Sequence, residues 1–198
     1  MYHNDIEFSP EESLRLISSM IESTKNSWKD SSHYYLLWGW AIMIACLGQY
    51  FLKTLFHYRQ PYLVWLIIPV VLFVHVFFIV RDRRNERVNT FINEAGGFLW
   101  TALGFAFFST AFLFTKIGSE NCYPFYIVLY GIGTYVFGRL IKFKPLFIGG
   151  ITCFLLAIIC AYLDLDSQVF MLALAILVSY LIPGYLLRAK LKKQKGDV

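Results

Sequence analysis

The chain has 198 residues, 58% of them hydrophobic and only 16% charged, with a formal net charge of +5 and a mean hydropathy of +0.55. A soluble domain is nearer one-quarter charged, so composition argues against a water-soluble globule. Between Tyr34 and Leu187 the ionisable residues sit in short clusters, separated by stretches about as long as a bilayer is thick.

Residues 1–33 form a polar N-terminal tail that predicts an amphipathic helix over about 9–29. Ser9 reads as an N-cap, Pro10 suits the first turn, and Glu12 completes a capping box. Leu14, Ile17, Met20, Ile21, Thr24 and Trp28 then recur at helical spacing on one face. Acids lead and bases trail, which suits the helix dipole. Such a helix is expected to lie on the inner leaflet or to dock a cytoplasmic partner or another subunit. No basic segment leads into a short apolar core ending in small residues, so span one is expected to serve as both targeting signal and permanent helix.

Six apolar stretches then follow: Tyr34–Leu52, Pro61–Val80, Gly97–Thr115, Cys122–Gly138, Pro145–Leu163 and Ser167–Leu187. About 20 apolar residues cross a hydrocarbon core of roughly 30 Å. Continuous rather than alternating polarity selects helices over a barrel. The expected fold is an all-α membrane protein of six transmembrane helices arranged as three antiparallel hairpins, 1–2, 3–4 and 5–6, because the connections at 53–60, 116–121 and 164–166 are short.

The positive-inside rule sets the orientation. Of the 18 basic residues, 15 fall on one side: Arg15, Lys25 and Lys29; Arg81, Arg83, Arg84 and Arg87; Arg139, Lys142 and Lys144; and Arg188, Lys190, Lys192, Lys193 and Lys195. Lys53, Arg59 and Lys116 take the other. N-in and C-in are expected, with the polar mass cytoplasmic. Arg81–Ala95 carries a short apolar stripe and is expected to extend span two past the membrane.

Within the membrane, close packing of small residues substitutes for a hydrophobic driving force. Gly149, Cys153, Ala157 and Ala161 make such a face on span five, with a lesser one at Gly131, Thr134 and Gly138. Contact within the chain is the expected use; contact with a second copy is the alternative. His75 is the one ionisable side chain at membrane depth, and with no carboxylate at that depth it is expected to be neutral and bonded to a hydroxyl of a neighbouring helix. Gln49, near the outer end of span one, is expected to bond locally or reach water. Pro69 and Pro183-Gly184 are expected kinks.

No HExxH, embedded aspartate pair, glycine-flanked serine nucleophile or phosphate-cradling loop is present, so no catalytic, cofactor or metal residues are expected. Cys46, Cys122, Cys153 and Cys160 lack metal spacing and read as free buried thiols, the alternative being a disulfide between Cys122 and Cys160, which fall near the same membrane face. Residues 188–198 form a basic cytoplasmic tail whose Arg188, Lys190, Lys192, Lys193 and Lys195 suit anionic lipid and do not make a nucleic-acid interface.

Ser9–Leu14 (SPEESL), Leu36–Trp40 (LLWGW), Leu129–Thr134 (LYGIGT), Lys144–Leu146 (KPL) and Pro183-Gly184 before Arg188 carry a resemblance along nearly the whole chain. On them the chain resembles a group of uncharacterised bacterial six-span inner-membrane proteins with no known activity. That resemblance implies architecture and location without a mechanism. The expected function is a non-enzymatic interaction or regulatory membrane protein with a cytoplasmic partner. The alternative is a transport component, similar in layout to permease subunits of ATP-driven exporters.

Overall fold

In the computed structural model the described residues are Ser9, Glu12, Leu14, Arg15, 32–85, 91–118 and 122–196. Among them the secondary structure is helix alone, without strands. The capping box forms as expected: the Ser9 backbone N–H donates to Glu12 Oε2 at 3.1 Å, and the Glu12 N–H donates to Ser9 Oγ at 3.2 Å. Leu14 is helical and exposed, whereas Ile17, Met20, Ile21 and Trp28 lie outside the described residues.

Helix α1 spans Ser32–Thr54 and buries Tyr35, Gly39, Ile42, Cys46 and Gln49, a stripe at alternating steps of four and three. A 3₁₀ segment, Pro61–Leu66, leads into α2 (Ile67–Asn85). Pro69 therefore falls in the first turn of α2, where a missing N–H breaks no intrahelical bond, and the kink expected mid-span becomes this 3₁₀ entry. Then come α3 (Phe91–Ile117), α4 (Cys122–Leu140), α5 (Lys144–Cys160) and α6 (Leu165–Ile176), the last continuing through a π turn (Leu177–Leu181) into α7 (Ile182–Gly196). The expected basic tail is thus helical as far as Gly196.

Among the described residues four helices are long and apolar enough to cross a membrane: Ser32–Thr54, Pro61–Arg81, Glu94–Ile117 and Leu165–Lys190. Such helices are the mark of a membrane protein. Two of the six expected spans fall short by length or composition. α5 is apolar but has 17 residues, because the chain turns at Ala161–Leu163 instead of continuing the helix. α4 has four tyrosines and three glycines, which dilute its apolar character.

The core sits among α1, α4, α5 and α6. α2 and α3 are peripheral: only 6% of each apolar window is buried, against 44% for α1 and 56% for α6–α7. Large apolar side chains such as Phe73, Phe77, Phe105 and Phe108 point outward along them. Exposed apolar rows of that length are tolerated where the surrounding medium is itself apolar.

The closest helix approach joins α4 to α5. A Cβ on Gly150 would lie 2.5 Å from the Tyr135 nitrogen, and one on Gly138 would lie 2.5 Å from the Phe147 nitrogen. The connection is a Schellman turn: the Phe143 N–H donates to the Gly138 carbonyl at 2.9 Å and the Lys142 N–H to that of Arg139 at 3.2 Å. Lys142 holds the left-handed position at φ 54°, where a Cβ is penalised. Lys142→Gly is therefore expected to stabilise the fold by about 1 kcal/mol net of the glycine's greater unfolded-state freedom, read as a raised unfolding midpoint in detergent.

Candidate functional site

The polar side chains that the apolar helices carry inward gather at two levels. At the end of the bundle where α1 meets the 3₁₀ segment, Gln49 is buried, and its Oε1 accepts from both the Trp65 indole N–H and the Tyr123 hydroxyl, the latter at 3.0 Å. The amide expected to bond locally or reach water instead ties three elements together. A buried carbonyl oxygen without donors is costly, and the two aromatic donors, each apolar over most of its surface, satisfy it without bringing water in.

Further out on the same end, Lys53 of α1 pairs with Asp166 of α6 at 2.5 Å, both side chains partly exposed. Beside it, Asp164 caps α6: its carboxylate accepts from the Ser167 hydroxyl at 2.7 Å and from the Ser167 N–H at 3.3 Å. Those bonds favour the charged form and hold the Asp164 carboxyl below the usual carboxylate range.

At the opposite level His75 is half-buried, and its Nδ1 accepts from the Trp38 indole N–H at 3.3 Å. The expected hydroxyl partner is replaced by an indole. Because an indole nitrogen only donates, Nδ1 is the acceptor and the ring's proton sits on Nε2. The Tyr34 ring stands edge-on 4.9 Å away, and the His33 ring lies tilted against Tyr34 at 4.0 Å. Protonating Nδ1 would break the Trp38 bond, so the arrangement suits packing better than proton transfer.

From the His75 end of α1 inward the interior is aromatic. Tyr35 lies 5.8 Å from Trp100, 5.7 Å from Phe137 and 5.3 Å from Tyr180, and Tyr180 meets Tyr130 edge-on at 5.3 Å. Phe107 extends this cluster at 4.7 Å from Tyr130. Tyr35–Trp100 and Tyr130–Tyr180 are edge-to-face, a geometry that adds to simple burial.

The small-residue face of α5 is used within the chain. Gly149 abuts the π turn, where its Cβ would lie 2.9 Å from the Val178 carbonyl oxygen; Cys153 and Ala157 are buried. Ala161 does not join them. It is exposed in the turn beyond α5, and Cys160, fully buried, ends the face instead. The thiols are all free; Cys153 donates to the Ala175 carbonyl at 3.8 Å and Cys160 to that of Gln168 at 3.9 Å. Arg188, Lys190, Lys192 and Lys193 are exposed on α7, with the Lys190 ammonium 5.8 Å from the Phe143 ring, while the Lys195 side chain lies outside the described residues.

No family model, no curated protein and no solved structure matches the chain. Among the described residues no group of three or more His, Cys, Asp and Glu side chains is close enough to hold a metal ion. What the sequence reading missed is the partner of each polar group: Trp65 and Tyr123 for Gln49, Trp38 for His75, Asp166 for Lys53. The usable signal was the rule that a lone buried amide or imidazole takes a hydrogen-bond partner, with indole and phenol donors the nearest supply in so aromatic a chain.

Proposed function

We propose that this chain is a six-span protein of a bacterial inner membrane, with three helical hairpins and both termini cytoplasmic, acting as a non-enzymatic interaction or regulatory protein with a cytoplasmic partner. In this reading α4 and α5 also cross. α5, at about 26 Å by helical rise, falls within the tolerated range of span lengths, and the buried tyrosines of α4 face protein, not lipid. What supports the proposal is the clustering of charge along the sequence: with six spans, 15 of the 18 basic residues and the N-terminal segment would fall on one face, and the opposite connections are too short to hold a recognition surface.

The structure's polar groups support a scaffold role. Gln49 and His75 are engaged by indole and phenol donors, and Tyr35, Trp100, Tyr130, Phe137 and Tyr180 pack as one aromatic layer across the bundle. A transport route would need a hydrated passage through that same aromatic layer, which weighs against the permease-like alternative.

Crosslinking in cells from position 14, followed by mild-detergent purification, tests the reading. Leu14 is exposed on the N-terminal helix. A defined cytoplasmic protein is expected in the eluate, reduced at least about tenfold when residues 1–30 are deleted. Recovery of nothing reproducible, or ATP-dependent flux by the reconstituted chain, would overturn it.

A further inference from the structure

The outer face of the α6–α7 helix carries an apolar groove of about 440 Å³. Leu177 and Leu181 of the π turn form one end, Tyr185, Leu186 and Ala189 continue it along α7, and Trp40 of α1 makes the facing wall. The π turn ends two residues before Pro183, which lacks the N–H an α-helix would need there and whose ring would strike the Ser179 carbonyl. The widened turn absorbs that conflict, the single-turn form in which π geometry usually occurs within α-helices.

Three observations say what fits. The first is length. From Leu177 to Tyr185 the helix rises about 12 Å, most of the roughly 15 Å depth of one leaflet's hydrocarbon. The second is the polar edge. The Trp40 indole N–H donates to the Tyr185 hydroxyl oxygen at 3.0 Å, which leaves the phenol its own proton to donate. Trp and Tyr rings paired in this way belong at headgroup level. The third is charge. The groove stripe Ile182, Tyr185, Ala189 continues at helical spacing to Lys192 and Lys193, both exposed. Side chains on a helix lean toward its N-terminus, which aims this pair back towards the Tyr185 end of the groove.

We propose that the groove is a binding site for one anionic phospholipid, with an acyl chain lying from Leu177 to Ile182, Tyr185 donating to the ester or phosphate oxygens, and Lys192 and Lys193 holding the phosphate. Both lipid sources of negative charge, the phosphate diester and an anionic headgroup, fall within reach of the same two lysines. The site rests on the membrane residence of Leu165–Lys190 and is independent of which way the chain is oriented.

Reconstitution of the full chain into nanodiscs of neutral phosphatidylcholine, doped with a few per cent of a lipid brominated along its acyl chain, tests the site. The Trp40 signal is read as the difference between the wild type and Trp40→Phe. Brominated phosphatidylglycerol is expected to quench Trp40 at doping levels where brominated phosphatidylcholine does not. Lys192→Gln with Lys193→Gln should cut that preference by about thirtyfold, two basic contacts' worth. Lys190→Gln with Lys195→Gln should leave it unchanged, and Ala189→Phe, which fills the groove from an exposed position, should abolish quenching by the doped lipid. Equal quenching by both lipids overturns the site as bulk lipid contact. Equal loss in both lysine pairs overturns it as diffuse attraction. Failure of the chain to enter bilayers at all would instead remove the membrane reading beneath it.

Discussion

Gly150→Ala is expected to destabilise the bundle by on the order of 3 kcal/mol, the upper end of the usual overpacking range. The new methyl would sit 2.5 Å from the Tyr135 nitrogen and 2.7 Å from its Cα. Both are backbone atoms of α4, so no side chain can swing aside; the two helices have to separate along their length. Gly138 makes the reciprocal approach to Phe147, so the two glycines hold the same seam from opposite sides. Gly104→Ala is the control. It lies on α3 with nothing within 4 Å of the added atom, and alanine improves helix propensity. The measurement is the unfolding midpoint in mild detergent for both variants. A Gly150→Ala midpoint as high as that of Gly104→Ala would mean that the α4–α5 seam is not closed as described.

Gln49→Leu is expected to cost about 1–3 kcal/mol for each donor left unsatisfied in the buried region. Leucine leaves no large cavity, though it branches one carbon earlier than the amide, so the loss comes chiefly from the orphaned Trp65 N–H and Tyr123 O–H. That origin can be separated from packing by a double-mutant cycle. Trp65→Phe in the Gln49→Leu background removes one orphaned donor and is expected to cost less than Trp65→Phe alone. Additive costs would show that Gln49 is not the partner that holds Trp65. Trp65 emission gives a second readout, because losing its acceptor places the indole in a less polar setting and shifts its spectrum to the blue.

The sequence made the local grammar legible and left the pairings hidden. The reciprocal Ser9–Glu12 bonds could be read because a capping box is confined to four consecutive residues. The positions of the apolar helices were readable too, since charge clusters delimit them. The Schellman turn at Lys142 was not, because its usual signal is a glycine and here a lysine takes the strained position. The π turn escaped as well: Pro183 announces a disturbance, but whether a helix answers with a kink or a widened turn depends on what packs beside Ser179, here Gly149. The small-residue face ran one step too far because spacing at every fourth residue continues to Ala161 while the helix stops at Cys160. The partners of His75 and Gln49 are fixed by how the helices turn about their axes, and periodicity in one chain leaves that rotation open.

The long association of α1 with α6 and α7 has a consequence for how the protein is made. Gly39 of α1 is covered by Leu181 and Tyr180, Gly184 of α7 by Leu36 and Tyr35, and Lys53 by Asp166, so the first described long helix takes its main covering from the last. A ribosome adds about 5–20 residues each second, so on the order of ten seconds separates the synthesis of these two helices. During that interval α1 has α2 beside it but lacks the cover for its glycine face. Assembly of the bundle therefore closes in a single late step, when α6 arrives, and a nascent chain halted before Leu165 presents α1 with that face open to any insertion factor or helix nearby.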